Sequence, residues 1–213
     1  MRFLKVFLLC ALAINYLIAD ETEEIISVAS YIDSGELSAS PVDVISAEEF
    51  KNLRVSSVAE LSKYLSVASG SHFQTNALDG VDQGMAAITL RGMDHASTLV
   101  LINKKRQTHS GTPSNEGEGY IDVNIIPEIA LERVEILKDG ATSLYGSDAV
   151  AGVINFHTYH AFDGLRISAS SQKTSNYSQK DNSIGLLYGG EALDGQYVFV
   201  VSALNRSPLN ASE

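Results

Sequence analysis

Cysteine is nearly absent from this 213-residue chain, which contains a single one, Cys10. One cysteine excludes a disulfide scaffold, a cysteine-based zinc finger and a thiol redox pair. Basic residues are also scarce, because 15 Lys and Arg face 26 Asp and Glu and give a formal net charge of -11. A protein that neutralises nucleic-acid phosphates needs a basic surface, so the composition argues against a nucleic-acid partner.

Long apolar runs are missing too, since no stretch reaches the ~18–20 apolar residues that a transmembrane helix needs. Hydrophobic residues nevertheless make up 45% of the chain. That share is enough to bury a core in one domain, with a possible appendage, and it argues against global disorder.

The first 19 residues have the features of a secretory signal peptide. Arg2 and Lys5 precede an apolar run over residues 6–19, which ends at the small residue Ala19. This order predicts export and cleavage after Ala19. Cleavage would remove two positive charges and the cysteine, which leaves a mature chain of net charge -13.

Residues 20–40 are acidic and contain one short β-prone patch at residues 25–28. Two interpretations of this tail remain open from its residues alone. It can be an ordinary disordered terminus, or a segment that adds itself as a strand to the sheet of another protein.

Residues 41–160 predict a compact α+β domain of short strands and short helices. Ser46 and Glu49 have the spacing of a capping box for a first helix. A second short helix follows, with Ser56 or Ser57 as its cap. The predicted strands cover residues 42–45, 87–91, 97–102, 131–137 and 149–156.

Residues 161–213 change to alternating segments of about ten residues, the weak signature of a membrane β-barrel. The alternation is clearest over residues 165–170, 184–188 and 197–204. The same pattern fits three strands of a soluble sheet, and the two interpretations stay open at this point.

Groups of residues that carry enzyme chemistry are weak in this sequence. His157, His160 and Asp163 form the best candidate metal group, and exposed histidines at a domain junction explain it better. The local patterns therefore predict no enzyme, no metal site and no cofactor. Arg91 and Arg133 stand out because each is associated with a predicted strand, where the residues alone favour exposure to solvent.

The order of these segments resembles the plug domain of TonB-dependent outer-membrane receptors. The resemblance covers residues 23–205. It rests on Ser40–Phe50, on Ile88-Thr-Leu-Arg-Gly92, on Thr98–Asn103 and most specifically on the long run 126–155. The chain departs from the family pattern at Lys104, where a glycine usually follows the turn residue Asn103, so we expect a less comfortable or differently shaped turn.

The resemblance implies an α+β plug domain, with a short mixed sheet and short helices, followed by the first antiparallel strands of an incomplete transmembrane β-barrel. The implied division is a signal peptide (1–19), a flexible tail with a TonB-box-like segment (20–40), a plug domain (41–160) and barrel strands (161–213). Plugged barrels of this class have 22 strands. Three strands cannot close a barrel, so the sequence is interpreted as the N-terminal piece of a receptor.

The resemblance also assigns residues to roles. The segment that would pair with TonB is Glu24, Ile25, Ile26, Ser27 and Val28. The polar lock between plug and barrel would be Arg91, Arg133, Glu132 and Glu135, which requires the two arginines to be buried beside carboxylates. The candidate ligand-facing loop residues are Asp94, His95, His109 and Tyr120.

The implied partners are TonB, the rest of the barrel, the outer membrane and a small-molecule ligand that the sequence does not identify. The implied function is energy-coupled uptake, with the plug gating the barrel and passing the ligand signal to TonB. Two alternatives remain: a free periplasmic plug-like binding module, and a secreted hydrolase using His157, His160 and Asp163.

Overall fold

The computed structural model describes residues 42–71, 84, 86–114, 117–173, 179–192 and 195–207. The predicted signal peptide and the tail over residues 20–40 lie outside the described residues. The described residues form two sheets, which we name the mixed sheet and the antiparallel sheet.

The mixed sheet contains five strands in the order β1-β4-β5-β2-β3. They are β1 Val42–Ser46, β2 Thr98–Ile102, β3 Lys105–Arg106, β4 Leu131–Leu137 and β5 Gly152–Thr158. Strands β2 and β5 are parallel, and the other neighbours are antiparallel. Because β5 is central, it is buried on both faces, and its polar residues Asn155 and His157 are buried together with Val153, Ile154 and Phe156.

One face of the mixed sheet carries the main core. Ile136, Ile154 and Phe156 project from β4 and β5 and pack with Leu61 of a 3₁₀ helix over Val58–Lys63. All four are fully buried. Burying a side chain of this size stabilises the fold by about 1.5–3 kcal/mol. The opposite face is covered by a smaller cluster around Val153.

Helix α1 spans Ala47–Leu53, and the predicted capping box at its start is confirmed. The Ser46 hydroxyl accepts from the Glu49 N–H at 3.3 Å, and the Ser46 N–H donates to the Glu49 carboxylate at 2.9 Å. Helix α2, Thr142–Tyr145, is one helical turn long and lies between β4 and β5.

The prediction that Ser56 or Ser57 precedes the second helix as its cap is confirmed in position, because Ser57 is the N-cap residue. Its side chain, however, makes no capping hydrogen bond. Instead, the Glu60 carboxylate reaches back and accepts from the N–H and hydroxyl of Ser56 at 2.8 and 3.0 Å. The Glu60 side chain, which lies within the helix, therefore accepts hydrogen bonds at the start of the helix, where the sequence predicted a serine side chain in that role.

The predicted strand over residues 87–91 is also wrong, since only Ala87 makes a bridge. Side-chain hydroxyls, and not a neighbouring strand, accept hydrogen bonds from backbone N–H groups of this segment. The Thr89 N–H donates to Ser71 Oγ at 2.9 Å, and the Leu90 N–H donates to Thr98 Oγ1 at 2.9 Å. Arg91 then adopts a left-handed backbone conformation with φ 61°, which ends any extended run.

The turn between β2 and β3 places Asn103 and Lys104 at φ 51° and 65°. Positive φ at both central residues suits a tight hairpin turn. Lys104 adopts this conformation although it lacks the conformational freedom of glycine. Three side-chain bonds hold it: Lys104 N–H to Asn155 Oδ1, Asn103 Nδ2 to Thr158 Oγ1, and Thr158 N–H to Asn103 Oδ1. The departure from the family pattern is thus accommodated by the neighbouring strand.

The antiparallel sheet consists of β6 Gly164–Lys173, β7 Lys180–Ala192 and β8 Gly195–Arg206, paired in sequence order. Strand β7 extends beyond both ends of the alternating segment 184–188 that the sequence predicts. One face of the sheet is apolar and exposed. Its matched ranks are Leu165–Tyr188–Phe199, Ile167–Leu186–Val201 and Ala169–Ile184–Ala203.

The other face of the antiparallel sheet turns toward the mixed sheet. Ile129, in the 3₁₀ turn Glu128–Ala130, packs so closely on Gly185 that a β-carbon there would meet it at about 3.1 Å. Residues 159–163 alone join β5 to β6, so the two sheets are covalently connected at one end. None of the helices in the described ranges has the length and hydrophobicity required to cross a membrane.

Candidate functional site

Strands β4 and β5 place a buried charged group at the centre of the mixed sheet, composed of Arg133, Glu135 and His157. Glu135 is 0% exposed, and its two oxygens lie 3.0 Å from Arg133 Nε and 3.1 Å from His157 Nε2. Glu132, half exposed, lies 3.7 Å from the Arg133 guanidinium. Arg133 therefore has carboxylates on both sides along its own strand.

Burial opposes ionisation of Glu135, yet its pKa lies below the ordinary value of 4.5. The hydrogen bonds and charges of His157 and Arg133 outweigh the effect of burial. Glu135 is thus a carboxylate at neutral pH, which matters because an unpaired buried charge is strongly destabilising.

The group extends to the β2–β3 turn through Asn155. Its amide lies 2.7 Å from His157 Nε2, and its oxygen accepts from the Lys104 N–H at 3.0 Å. His157 is therefore buried, and the expectation of an exposed histidine at this position is wrong. His160, by contrast, is exposed. Within the described ranges, no three His, Cys, Asp or Glu side chains are placed to hold a metal ion.

Arg91 lies apart from this group. It is exposed, and its guanidinium donates to the carbonyl of Lys138 at 3.5 Å, just beyond the end of β4. Arg133 stands near the start of that strand. The structure thus brings together three of the four residues assigned to a lock, and Arg91 is at the other end of β4.

Three of the four candidate ligand-facing residues surround one small cavity. His95, His109 and Tyr120 line it together with Arg106 and Asp148, which form an ion pair. Its volume of about 60 Å³ has room for about two water molecules. The His95 and Tyr120 ring centroids are 6.3 Å apart, and the His109 ring packs against Gly119. Asp94 precedes the 3₁₀ turn His95–Ser97 and is exposed.

A second polar group connects the two sheets, and sequence reasoning missed it. Arg206 at the end of β8 binds Asp181 of β7, and the same guanidinium approaches Glu60 and Ser56 beneath the mixed sheet. A cavity of about 210 Å³ opens beside it, lined from both sides by serines. The only available sequence signal was an arginine near the end of an alternating strand.

The described residues therefore define a class: a small α+β domain packed against a wall of antiparallel strands whose outer face is apolar. The family model of the TonB-dependent Receptor Plug Domain matches residues 36–153. That is more than half of the chain, and the chain belongs to this family.

Curated relatives carry names of outer-membrane receptors and transporters. The chain is 32% identical over 143 residues to the iron-regulated outer membrane virulence protein of Vibrio cholerae, covering 66% of this chain and 21% of the relative. It is 30% identical over 151 residues to the ferric enterobactin receptor PirA of Pseudomonas aeruginosa, covering 68% and 20%. It is 28% identical over 158 residues to the vitamin B12 transporter BtuB of Vibrio vulnificus, covering 68% and 25%. The chain thus spans a fifth to a quarter of the length of these relatives.

Solved structures show the same fold. The siderophore receptor PirA from Acinetobacter baumannii matches with a TM-score of 0.57 and 25% identity, over 76% of this chain and 24% of that one. The ferric citrate transporter FecA in the unliganded form matches with a TM-score of 0.63 at 18% identity, over 79% and 26%. The predicted fold class is confirmed, although the described strands form no closed barrel. The relatives are receptors and transporters, which confirms the prediction that the chain is not an enzyme.

Proposed function

We propose that this chain is the N-terminal, energy-coupling part of a TonB-dependent outer-membrane receptor that takes up a small molecule. The observation that carries the proposal is the apolar outer face of the antiparallel sheet, joined by a five-residue linker to a plug domain. Leu165, Ile167 and Phe199 on that face are 58–64% exposed. A face of this kind needs lipid or protein to cover it, which disfavours a free periplasmic module.

In this proposal the domains are those implied by the sequence: a signal peptide (1–19), a tail (20–40), a plug (41–160) and barrel strands (161–213). The plug gates the barrel and transmits ligand binding to the tail. Arg133, Glu132 and Glu135 would form the plug's side of the lock, with partners on barrel strands outside the described residues. Arg91, which is exposed at the other end of β4, would need to be covered by the same barrel. Glu135 is the firmest of these, because it is fully buried and bound on both sides.

We propose a metal-chelating small molecule as the ligand class. The support is that relatives are named as receptors for ferric enterobactin and as transporters of vitamin B12. The loops of Asp94, His95, His109 and Tyr120 would form the plug's contribution to ligand contact. The 60 Å³ cavity is too small for such a ligand, so contact would be made at the loop surface.

The tail supplies the direct test. Residues 24–28 would bind TonB as an added strand, in which main-chain N–H groups carry the affinity. Ile26→Pro removes one donor and restricts the backbone, so binding of the full chain to purified TonB should weaken at least about tenfold. Ser34→Pro, outside the segment, is the matched control and should bind as the unsubstituted chain does.

Equal binding by the two proline variants would show that residues 24–28 are not the pairing strand. Absence of TonB binding by the unsubstituted chain, under conditions in which a known receptor of this family binds, would contradict the proposed coupling itself. The measurement is a titration followed by fluorescence anisotropy of labelled TonB.

A further inference from the structure

Arg206 is the one described side chain of β8 whose charge reaches across to the plug domain. Its Nε and Nη2 both lie 2.8 Å from Asp181 Oδ2, on the directly paired residue of β7. The same Nη2 lies 3.7 Å from Glu60 Oε1 and 3.5 Å from Ser56 Oγ, both in the plug domain. A planar guanidinium can serve two carboxylates on different elements in this way.

The side chains that make these contacts are largely buried, which strengthens the ionic interactions between them. The side chains of Arg206, Asp181 and Glu60 are 12%, 8% and 8% exposed. Ion pairs shielded from water and salt are stronger than surface pairs, and separation leaves uncompensated charges. Burial opposes the charge of Glu60, yet its pKa is below the ordinary value, because hydrogen bonds from Ser56 and Lys63 and the charge of Lys63 prevail.

The position of the Arg206 group along the antiparallel sheet determines which end of that sheet it can hold. The covalent linker reaches the antiparallel sheet at Gly164, which pairs with Gly189. Asp181 lies eight residues along β7 from Gly189, or about 27 Å for an extended strand. The contact of Ile129 with Gly185 falls about halfway. The Arg206 group is therefore at the end of the sheet that the linker does not hold.

We propose that Arg206, Asp181 and Glu60 form an ionic latch that holds the far end of the barrel-wall sheet against the plug domain. With the latch closed, the sheet is fixed at both ends. With the latch open, the far end keeps only a neutral hydrogen bond among the described polar contacts, from Gln172 Nε2 to the Arg54 carbonyl at 2.8 Å. The cavity between the sheets then widens. The latch differs from the Arg133 group, whose partners all belong to the plug domain. It would act in the chain whether or not the chain takes part in uptake.

The cavity allows a direct measurement, since Ser57 lines it together with Arg206 and makes no capping bond. The chain has one cysteine, so a C10S/S57C background carries a single thiol at the inter-sheet cavity. The full chain in detergent micelles is treated with a maleimide, and the labelling rate is measured by mass spectrometry. R206Q and E60Q should each speed labelling about tenfold. Together they should have no larger effect than either alone, because both break one contact.

Lys63 provides the matched control. It binds the same Glu60 oxygen at 3.0 Å but belongs to the plug domain. K63Q therefore removes a positive charge from Glu60 without breaking the link between the sheets, and should leave labelling within about twofold. A second background, C10S/A151C, places the thiol at a fully buried core position and reports global unfolding.

Unchanged labelling of the S57C thiol in R206Q would overturn the latch. So would an equal rise in K63Q, since the effect would then come from the charge of Glu60 alone. A rise at both the S57C and A151C positions would also overturn it, because the chain would be unfolding as a unit. Faster labelling at S57C alone, in R206Q and E60Q but not in K63Q, is the result expected of a latch.

Discussion

Glu135 is the residue on which the charged interior of the plug domain depends. It is fully buried, and both of its oxygens are bound by positively charged or hydrogen-bonding neighbours. Replacing it leaves Arg133 and His157 without their shared carboxylate. Substitution of Glu135 should therefore lower the free energy of unfolding far more than substitution of Glu132, which is half exposed and more distant from Arg133.

We predict that Glu135→Gln lowers the free energy of unfolding by about 3 kcal/mol, while Glu132→Gln changes it by less than about 1 kcal/mol. The measurement is urea unfolding of the chain in detergent, followed by tyrosine fluorescence because tryptophan is absent. Equal effects of the two variants would show that Glu135 is not the centre of the group.

The same carboxylate predicts a pH dependence. The folded-state pKa of Glu135 is below the ordinary 4.5, so its ionised form stabilises the fold above that pH. This contribution disappears as the pH falls below 4.5 and through the lowered pKa. Burial raises the pKa of Asp122 and Glu128, which therefore act in the opposite sense. The unsubstituted chain should lose its advantage over Glu135→Gln in acid, and an advantage independent of pH would contradict the assignment.

Individual residues were predictable from the sequence where their partners are close in the chain. Asn103 was predicted at a turn from its own chemistry. The partners that hold Lys104 in a left-handed conformation are about 50 residues away, on β5. The burial of His157 depends in the same way on Glu135, on the neighbouring strand. No pattern of neighbouring residues in the sequence indicates such distant pairs.

At the scale of elements, α1 shows how a local signal sets a boundary. The capping box of Ser46 and Glu49 satisfies two backbone or hydroxyl groups at its first turn. The 3₁₀ helix over Val58–Lys63 has a serine at the same position that makes no such bond. The two helices therefore provide a comparison within one molecule.

We predict that Ser46→Ala lowers the free energy of unfolding by about 1 kcal/mol, because the Glu49 N–H loses its acceptor. Ser57→Ala should change it by less than about 0.5 kcal/mol. Both values follow from urea unfolding under the same detergent conditions. A larger loss in Ser57→Ala than in Ser46→Ala would contradict the assignment of the caps.

Elements with strong periodicity were predicted well, and elements governed by distant side chains were not. Strand β4 coincides with the predicted residues 131–137, and β8 contains the predicted segment 197–204. Residues 87–91 have the same local appearance, but Ser71 and Thr98 take up their backbone groups, and only Ala87 bridges. Strand propensity was real there and was overridden by tertiary hydrogen bonds.

At the scale of the whole molecule, the two sheets have opposite relations to water. The mixed sheet buries both faces, while the antiparallel sheet exposes its apolar ranks. A chain that presents this surface in aqueous buffer should associate through it. Among the described strands, β6 and β8 each pair on one side only, and their outer edges add backbone hydrogen-bonding groups to the same surface.

We predict that the full chain aggregates in detergent-free buffer, and that a chain ending at Asp163 stays in solution. Light scattering after removal of detergent measures both. Replacing Leu165, Ile167, Phe199 and Val201 by serine in the full chain should also reduce scattering, because it removes the apolar face and keeps the length. Equal aggregation of the shortened and full chains would place the cause in the plug domain.

The pairing of the two sheets also sets the order in which the chain can close its contacts. In the antiparallel sheet, Lys173 pairs with Lys180 and Ala192 with Gly195, so each ladder starts from a short loop. In the mixed sheet, Leu99 must find Val153 and Val44 must find Glu135, across most of the plug domain. Loop-closure entropy and contact order make such long-range pairings slow. The wall strands, although they come last in the sequence, are therefore the part of this molecule that folding can complete first.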